Sequence, residues 1–236
     1  MATLLSRRLQ TVADQVPQEG VLADIGTDHA LLPIYLVENG RISRAYACDV
    51  RPGPLSRAKE RIHRAGQEDK IQTILSDGFE KIPAGEVTTA VIAGMGGRLT
   101  ADIIMEESMR TKNVLADLKS LILQPQSEWE LARHALHNCG FAICHEEMLE
   151  ERGLYYIVIR AVPGQESYSS EQQYIYGCHM AGRDPVFREY LQKEKDKIQN
   201  VFDRLDRAGA TDQVLQRMSQ LREKIRELEE VLQKWQ

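Results

Sequence analysis

No long apolar run occurs in this chain. None of its stretches approaches the ~18 residues that a membrane-spanning helix needs, so the sequence predicts no membrane segment. The opening MATLLSRRLQTVADQ turns polar after Leu5 and lacks the apolar core of a secretion signal. It reads instead as an amphipathic helix with Leu4, Leu5, Leu9, Val12 and Ala13 on one face. Cysteine is scarce, with four residues (Cys48, Cys139, Cys144 and Cys178) and no CxxC spacing. Without a secretion signal these read as reduced thiols in a cytoplasmic protein. His134, His137, Cys139, Cys144 and His145 lie close in sequence, but their spacing matches no common zinc site, and no metal is expected. His134 and His137 are expected on a surface helix. Glycine is sparse after the first strand-like run. DIGTDHALLP holds Gly26 alone, where a dinucleotide pyrophosphate needs the several close backbone approaches of GxGxxG. NAD-dependent oxidoreduction is thereby disfavoured.

Acids at strand ends are what the chain does have. The runs VLADIGTDH, RAYACDV and IQTILSDGF place Asp24, Asp49 and Asp77 at intervals of 25 and 28 residues. Each interval accommodates a helix and the next strand. That rhythm predicts a doubly wound α/β sheet, whose ligands bind at the carboxyl ends of its strands. Gly26 lets a ligand approach the backbone. Asp49 offers a carboxylate to both hydroxyls of a ribose, and Asp77 with Gly78 offers polar groups to an adenine edge. The three together point to an adenosine-containing cofactor.

Strands are predicted at 21–25, 44–49, 71–76, 88–93 and 119–124, with helices near 30–39, 53–66, 96–109 and 127–138. The alternation requires parallel strands with right-handed crossovers. The segment 141–162 reads differently, as two extended runs turning near Gly153. So short a connection makes that pair antiparallel. From Pro163 the composition shifts to a linker and then to helix. Phe187, Leu191, Glu194, Ile198, Val201, Leu205 and Ala208 follow a heptad spacing, as do Val214, Met218, Leu221, Ile225, Leu228, Leu232 and Trp235. The break between them predicts an antiparallel, coiled-coil-like hairpin, ended by Gly209 and restarted by a cap at Thr211 or Asp212. The expected domains are 1–163 and 164–236. A monomer is the simpler expectation, with pairing through the hairpin left open.

The net charge is −5, which argues weakly against bulk nucleic-acid affinity. Residues 41–64 nevertheless carry seven arginines and lysines against two acids. They read either as a solvated helix face or as a phosphate-contacting patch, with Arg57, Arg61 and Arg64 as its candidates.

A methyl-donor cofactor without phosphates fits a loop with one glycine. Asp24 and Asp28 can attract its α-amino group, and Arg7 or Arg8 can reach its carboxylate if the first helix folds over the site. The fourth strand ends in VIAGMGGRL, without the Asn/Asp-Pro-Pro-aromatic motif of many methyltransferases that modify exocyclic amines. Gly94, Met95 and Gly96 offer a side-chain-poor floor there, and Gln124-Pro125-Gln126 follows the fifth strand, either lining the substrate cleft or starting the next helix. Tyr155 and Tyr156 alternate faces on a strand, so one of them should be core. Tyr168, Tyr174 and Tyr176 read either as helix packing, the preferred reading, or as rings for stacking on exposed bases.

Taken together, DIGTDHALLP, ACDV, SDGF, AGMGG, LILQPQ and the helical hairpin resemble the bacterial tRNA (adenine-22-N1)-methyltransferases, over essentially the whole chain. The resemblance implies a Rossmann-like class I methyltransferase fold with a terminal antiparallel hairpin and a C-terminal helical domain. It implies S-adenosylmethionine as methyl donor and N1 of adenine 22 in tRNA as acceptor. Matched residue by residue, it places cofactor contacts at Gly26, Thr27, Asp28, Asp49, Val50, Asp77, Gly78, Gly94 and Met95. Asp24 and Arg8 join that set from the chain's own chemistry. Asp28 and His29 are the candidates for handling the base. Arg57, Arg61, Arg64, Gly96, Gln124 and Pro125 are the candidates for tRNA contact. The rival readings are a methyltransferase of another RNA, protein or small molecule, and a non-catalytic RNA-binding protein on the same fold.

Overall fold

Seven strands make one sheet in the computed structural model, which describes residues 3–111, 113–208 and 211–235. They are β1 (Val21–Ile25), β2 (Arg44–Asp49), β3 (Ile71–Leu75), β4 (Thr89–Met95), β5 (Ser120–Pro125), β6 (Phe141–Glu151) and β7 (Leu154–Pro163). Their spatial order is β3-β2-β1-β4-β5-β7-β6. The first five are parallel, and β7 lies antiparallel to both β5 and β6. The reversal at β1, where the chain leaves β3 and returns as β4, opens a crevice at the carboxyl ends of β1 and β4.

Among the described residues eight α-helices accompany the sheet: α1 (Arg7–Gln15), α2 (Leu31–Glu38), α3 (Pro52–Ala65), α4 (Gly97–Ser108), α5 (Trp129–Asn138), α6 (Glu171–Tyr176), α7 (Pro185–Ala208) and α8 (Asp212–Leu232). One core gathers Val12, Leu22, Ile34, Leu36, Ile62 and Val91 beneath α1, α2 and α3. The other gathers Ile92, Ile104, Leu121, Leu136, Phe187 and Leu228 beneath α4, α5 and the base of the α7–α8 hairpin. Helices on both faces explain why β1 and β5 read as nearly continuous apolar runs rather than as alternations. A fully buried Ile34 or Leu36 is worth roughly 1.5–3 kcal/mol.

The N-terminal helix starts later than its apolar pattern suggests. Ser6 caps it, its Oγ accepting from the Leu9 N–H at 3.3 Å, and Leu4 stays outside, 88% exposed. In the C-terminal hairpin Thr211 caps α8 through the Val214 N–H. Gly209 lies outside the described residues, as do the side chains of Ala208 and Trp235. The heptad assignment of Val201 is corrected: it is exposed, while Phe202 is partly buried beneath the Arg222 guanidinium, 5.4 Å from the ring centroid. Near its tip the hairpin has only the partner helix to pack against, so the larger aromatic takes the seam.

The expectation for α5 also needs correction. His137 is buried, not on a solvent face: Nδ1 meets the Tyr174 hydroxyl at 3.0 Å and Nε2 meets Glu166 at 3.1 Å. Burial pulls its pKa below the ordinary value despite the Glu166 charge. The segment after β7 folds back over α5, and Tyr174 stacks on His134 with ring centroids 3.6 Å apart. Tyr174 and Tyr176 are core residues of this layer. Tyr155 and Tyr156 are each half-buried, one against Tyr190 and the other beneath Arg8. Among the described residues no helix is long and apolar enough to cross a membrane, and no group of three or more histidine, cysteine or acidic side chains could hold a metal.

Candidate active site

The crevice at the carboxyl ends of β1, β2 and β4 is a cavity of about 820 Å³. Five loops build it, each because a strand ends there. The first bends at Gly26, whose φ of 77° suits glycine; a β-carbon there would lie 1.9 Å from Met95 Cε. Gly26 therefore lets the β1 and β4 ends close on each other. After Thr27 and Asp28, His29 and Ala30 both take positive φ, at 62° and 52°. Two successive non-glycine residues in this region cost on the order of 1–3 kcal/mol each, a strain characteristic of ligand loops.

Asp24, one residue before the end of β1, is buried at the cavity floor. Burial raises its carboxyl from 3.8 to about 6, with the nearby Asp49 charge pushing the same way. Asp49 ends β2, is also buried, and accepts from the Arg51 backbone N–H at 2.7 Å. Val50, 57% exposed, and Arg51 follow at the wall. Asp77 and Gly78 close that side beyond β3.

The β4 end is shaped by a β-bulge between Ala93 and Met95. Gly94 at its centre has φ 80°, and its N–H leaves the ladder to donate to Gln124 Oε1 at 3.1 Å. The same oxygen accepts from Arg8 Nη1 at 2.5 Å. Arg8 lies over the Tyr156 ring, 5.6 Å from its centroid, and so the first helix brings a cation to the cavity. Gly97 starts α4 so close to the β5–α5 loop that a β-carbon would meet Glu128 O at 2.1 Å.

All eleven residues expected to hold a cofactor line this one cavity: Arg8, Asp24, Gly26, Thr27, Asp28, Asp49, Val50, Asp77, Gly78, Gly94 and Met95. Arg57 lines it too, its Nη2 3.6 Å from Asp28 Oδ1. His29 sits just outside the lining, with Nε2 3.5 Å from the same carboxylate oxygen. Arg61 and Arg64 are exposed further along α3, and Arg64 pairs with Glu60 at 2.9 Å. Gly96 caps α4 beside Ser127. Gln124 and Pro125 are buried under the lining rather than in it, and Gln126 occupies the cavity wall instead. The sequence reading passed over Ser6, Leu9, Leu99 and Ile103, which also line the cavity. A helix that follows β4 must begin at the carboxyl edge, so its first turns were bound to face the site; Leu99, two residues after AGMGG, was the available signal.

The fold and this site define a Rossmann-like methyltransferase, and a methyltransferase-domain family matches residues 5–159. The tRNA (adenine(22)-N(1))-methyltransferase of Bacillus subtilis (strain 168) is 34% identical over 97% of this chain and 97% of its own. The chain belongs to that family. The crystal structure of the Bacillus subtilis enzyme, TrmK, matches with a TM-score of 0.82 at 33% identity, covering 98% of this chain and 99% of that one. Sp1610 of Streptococcus pneumoniae, solved in complex with S-adenosyl-L-methionine, matches with a TM-score of 0.84 at 35% identity, covering 97% and 100%.

Proposed function

We propose that this protein transfers a methyl group from S-adenosylmethionine to N1 of adenine 22 in tRNA. The observation that carries the reading is the convergence of Asp24, Asp49 and Asp77 with Gly26 and Gly94 on one cavity, in a chain that matches a tRNA (adenine(22)-N(1))-methyltransferase end to end. The donor set fits the cofactor. Buried Asp24 supplies a negative charge for an α-ammonium group, with Thr27 and Asp28 beside it. Arg8 supplies a cation for the carboxylate. Asp49 would accept from two ribose hydroxyls, Val50 would give an apolar wall for the adenine ring, and Asp77 with Gly78 would meet its polar edge. No phosphate is present in such a ligand, which agrees with a loop that needs only one glycine.

When bound, this cofactor supplies an electrophilic methyl group on a sulfonium and keeps the electron pair of the broken bond. Adenine N1 carries its own lone pair, so no residue must remove a proton before attack. The protein's task is to hold N1 in line with the methyl group, and positioning of this kind lowers a barrier by several kcal/mol. Gly94 and Met95 form the floor where the two meet. Asp28 and His29 stand together at the rim, and His29 is assigned to the base and Asp28 to the cofactor side.

Arg57, Arg61 and Arg64 follow one another at helical spacing along α3, leading away from the cavity rim. They form a path for phosphates. In this reading residues 1–163 carry the chemistry, residues 164–236 help hold the tRNA body, and the protein works in the cytoplasm. Labelled methyl transfer to an unmodified tRNA with adenine at position 22, beside the same tRNA with guanine there, tests the reading. Label on the first alone is expected. Label on both discards the site, and label on neither discards the substrate.

A further inference from the structure

Gln126 stands where two cavities meet. It lines the cofactor cavity near Gly94 and Met95, and it lines a second cleft of about 280 Å³ walled by Trp129, Tyr176 and Tyr190. Its backbone is pinned, the N–H donating to Met95 O at 2.8 Å. Its Nε2 lies 3.8 Å from where a β-carbon of Gly94 would be, so the carboxamide reaches the floor where the methyl acceptor must sit. The neighbouring amide is already used, since Gln124 Oε1 accepts from both Arg8 and Gly94. The Gln126 carboxamide has no hydrogen-bond partner among the described residues, and the residue is exposed.

We propose that Gln126 reads the target adenine through its Hoogsteen edge, with Oε1 accepting from the N6 amino group and Nε2 donating to N7. A glutamine carboxamide matches that edge in both polarity and spacing. The choice of edge has a chemical reason. Recognition along the Watson–Crick edge would occupy N1, the atom that must attack, whereas the N6/N7 edge leaves N1 clear. Guanine would set its O6 acceptor against Oε1 and be refused. A base taken out of its stack needs new faces to lie against. The second cleft provides them: Trp129 and Tyr190 meet with centroids 5.5 Å apart and planes tilted by 54°, and the buried Trp129 indole N–H has no hydrogen-bond partner among the described residues. This inference rests on the function proposed above and names the residue that selects its substrate base.

The test compares tRNA carrying adenine at position 22 with tRNA carrying 7-deazaadenine, in which N7 becomes a C–H. The wild-type protein is expected to lose about tenfold in kcat/KM on the deaza tRNA, the size of one hydrogen bond. Gln126→Ala should lose a similar factor on adenine and show no further loss on deazaadenine. Gln126→Glu should invert the preference, because its carboxylate accepts from N6 but repels N7. The affinity of cofactor-free protein for the two tRNAs should follow the same order, and unfolding midpoints within a degree or two of wild type would exclude a folding defect. If Gln126→Ala still separates the two tRNAs by the wild-type factor, the inference is overturned while the proposed function stands. If the wild-type protein labels neither tRNA, the function itself fails and the inference falls with it.

Discussion

Asp24 is where the proposed cofactor binding and pH meet. Its carboxyl is raised from 3.8 to about 6, mainly by burial, which corresponds to roughly 3 kcal/mol of penalty on the charged form. Below about pH 4 the group is neutral whether the chain is folded or not, and no penalty exists. Between pH 4 and 6 the unfolded chain ionises first, so this residue withdraws stability from the cofactor-free protein as pH rises, and the cost levels off above 6. Asp24→Asn should therefore stabilise the cofactor-free protein at pH 7 by as much as about 3 kcal/mol in urea unfolding. The same change should weaken S-adenosylmethionine binding if, as proposed, the carboxylate holds the ammonium group. In the wild type that affinity should fall toward tenfold per pH unit below pH 6; calorimetry from pH 5 to 8 giving a flat profile would remove Asp24 from the ammonium site. Asp49 acts on the same balance, because its charge raises Asp24. Asp49→Ala should abolish ribose recognition, lowering cofactor affinity by about 10- to 100-fold for lost charged hydrogen bonds, and should move the Asp24 titration downward.

Between elements, the strongest constraint is Arg133 on α5. Its side chain is fully buried, with Nε 2.6 Å from Glu146 Oε1 on β6 and Nη1 donating to the Tyr174 and Ile175 carbonyls at 2.5 and 3.1 Å. A β-carbon at Gly177 would lie 2.6 Å from Glu146 Oε2, so the chain crosses directly over the ion pair. One cation thus ties α5, β6 and α6 in register. Arg133→Met should cost about 3–5 kcal/mol, because Glu146 is left charged and buried; Arg133→Met with Glu146→Leu should recover most of that. Urea unfolding of the two variants decides it, and equal losses in both would show that the carbonyl contacts matter more than the pair. This layer is also where the sequence was hardest to read. The strands and crossovers were legible, because apolar runs ending in Asp24, Asp49 and Asp77 repeat at βα spacing. The turn at Gly153 was legible because it is too short for a crossover. The faces of α5 were not. His137 looks like a solvent residue until a second layer, built from the segment after Pro163, covers it. The bulge at Gly94 was hidden for a similar reason: its N–H is satisfied by Gln124, a residue 30 positions away, and no local pattern announces such a pairing.

At the scale of the whole molecule, the proposed function asks an acidic protein to hold a polyanion. The net charge of −5 repels tRNA at long range, so attraction has to come from a local field. That field has a place in the fold. Arg57 stands at the cavity rim, and Arg61 and Arg64 continue along the exposed face of α3 away from it. A target base in the cavity would put its flanking phosphates near Arg57 and the next ones along the stripe. Part of the charge is already engaged, since Arg57 lies 3.6 Å from Asp28 and Arg64 lies 2.9 Å from Glu60. These pairs are exposed, each worth well under ~1 kcal/mol, so phosphates can displace them. The number of such contacts then sets how steeply binding depends on salt. Each neutralised phosphate contributes a slope of about −0.7 to −0.9 in log affinity against log salt. Replacing Arg57, Arg61 and Arg64 together by alanine should make the measured slope less negative by about 2 to 3, with cofactor affinity changed far less than tRNA affinity. Filter binding from 50 to 200 mM salt measures both. An unchanged slope in the triple variant would move the phosphate path off α3, and a flat slope in the wild type would mean that shape rather than charge holds the tRNA.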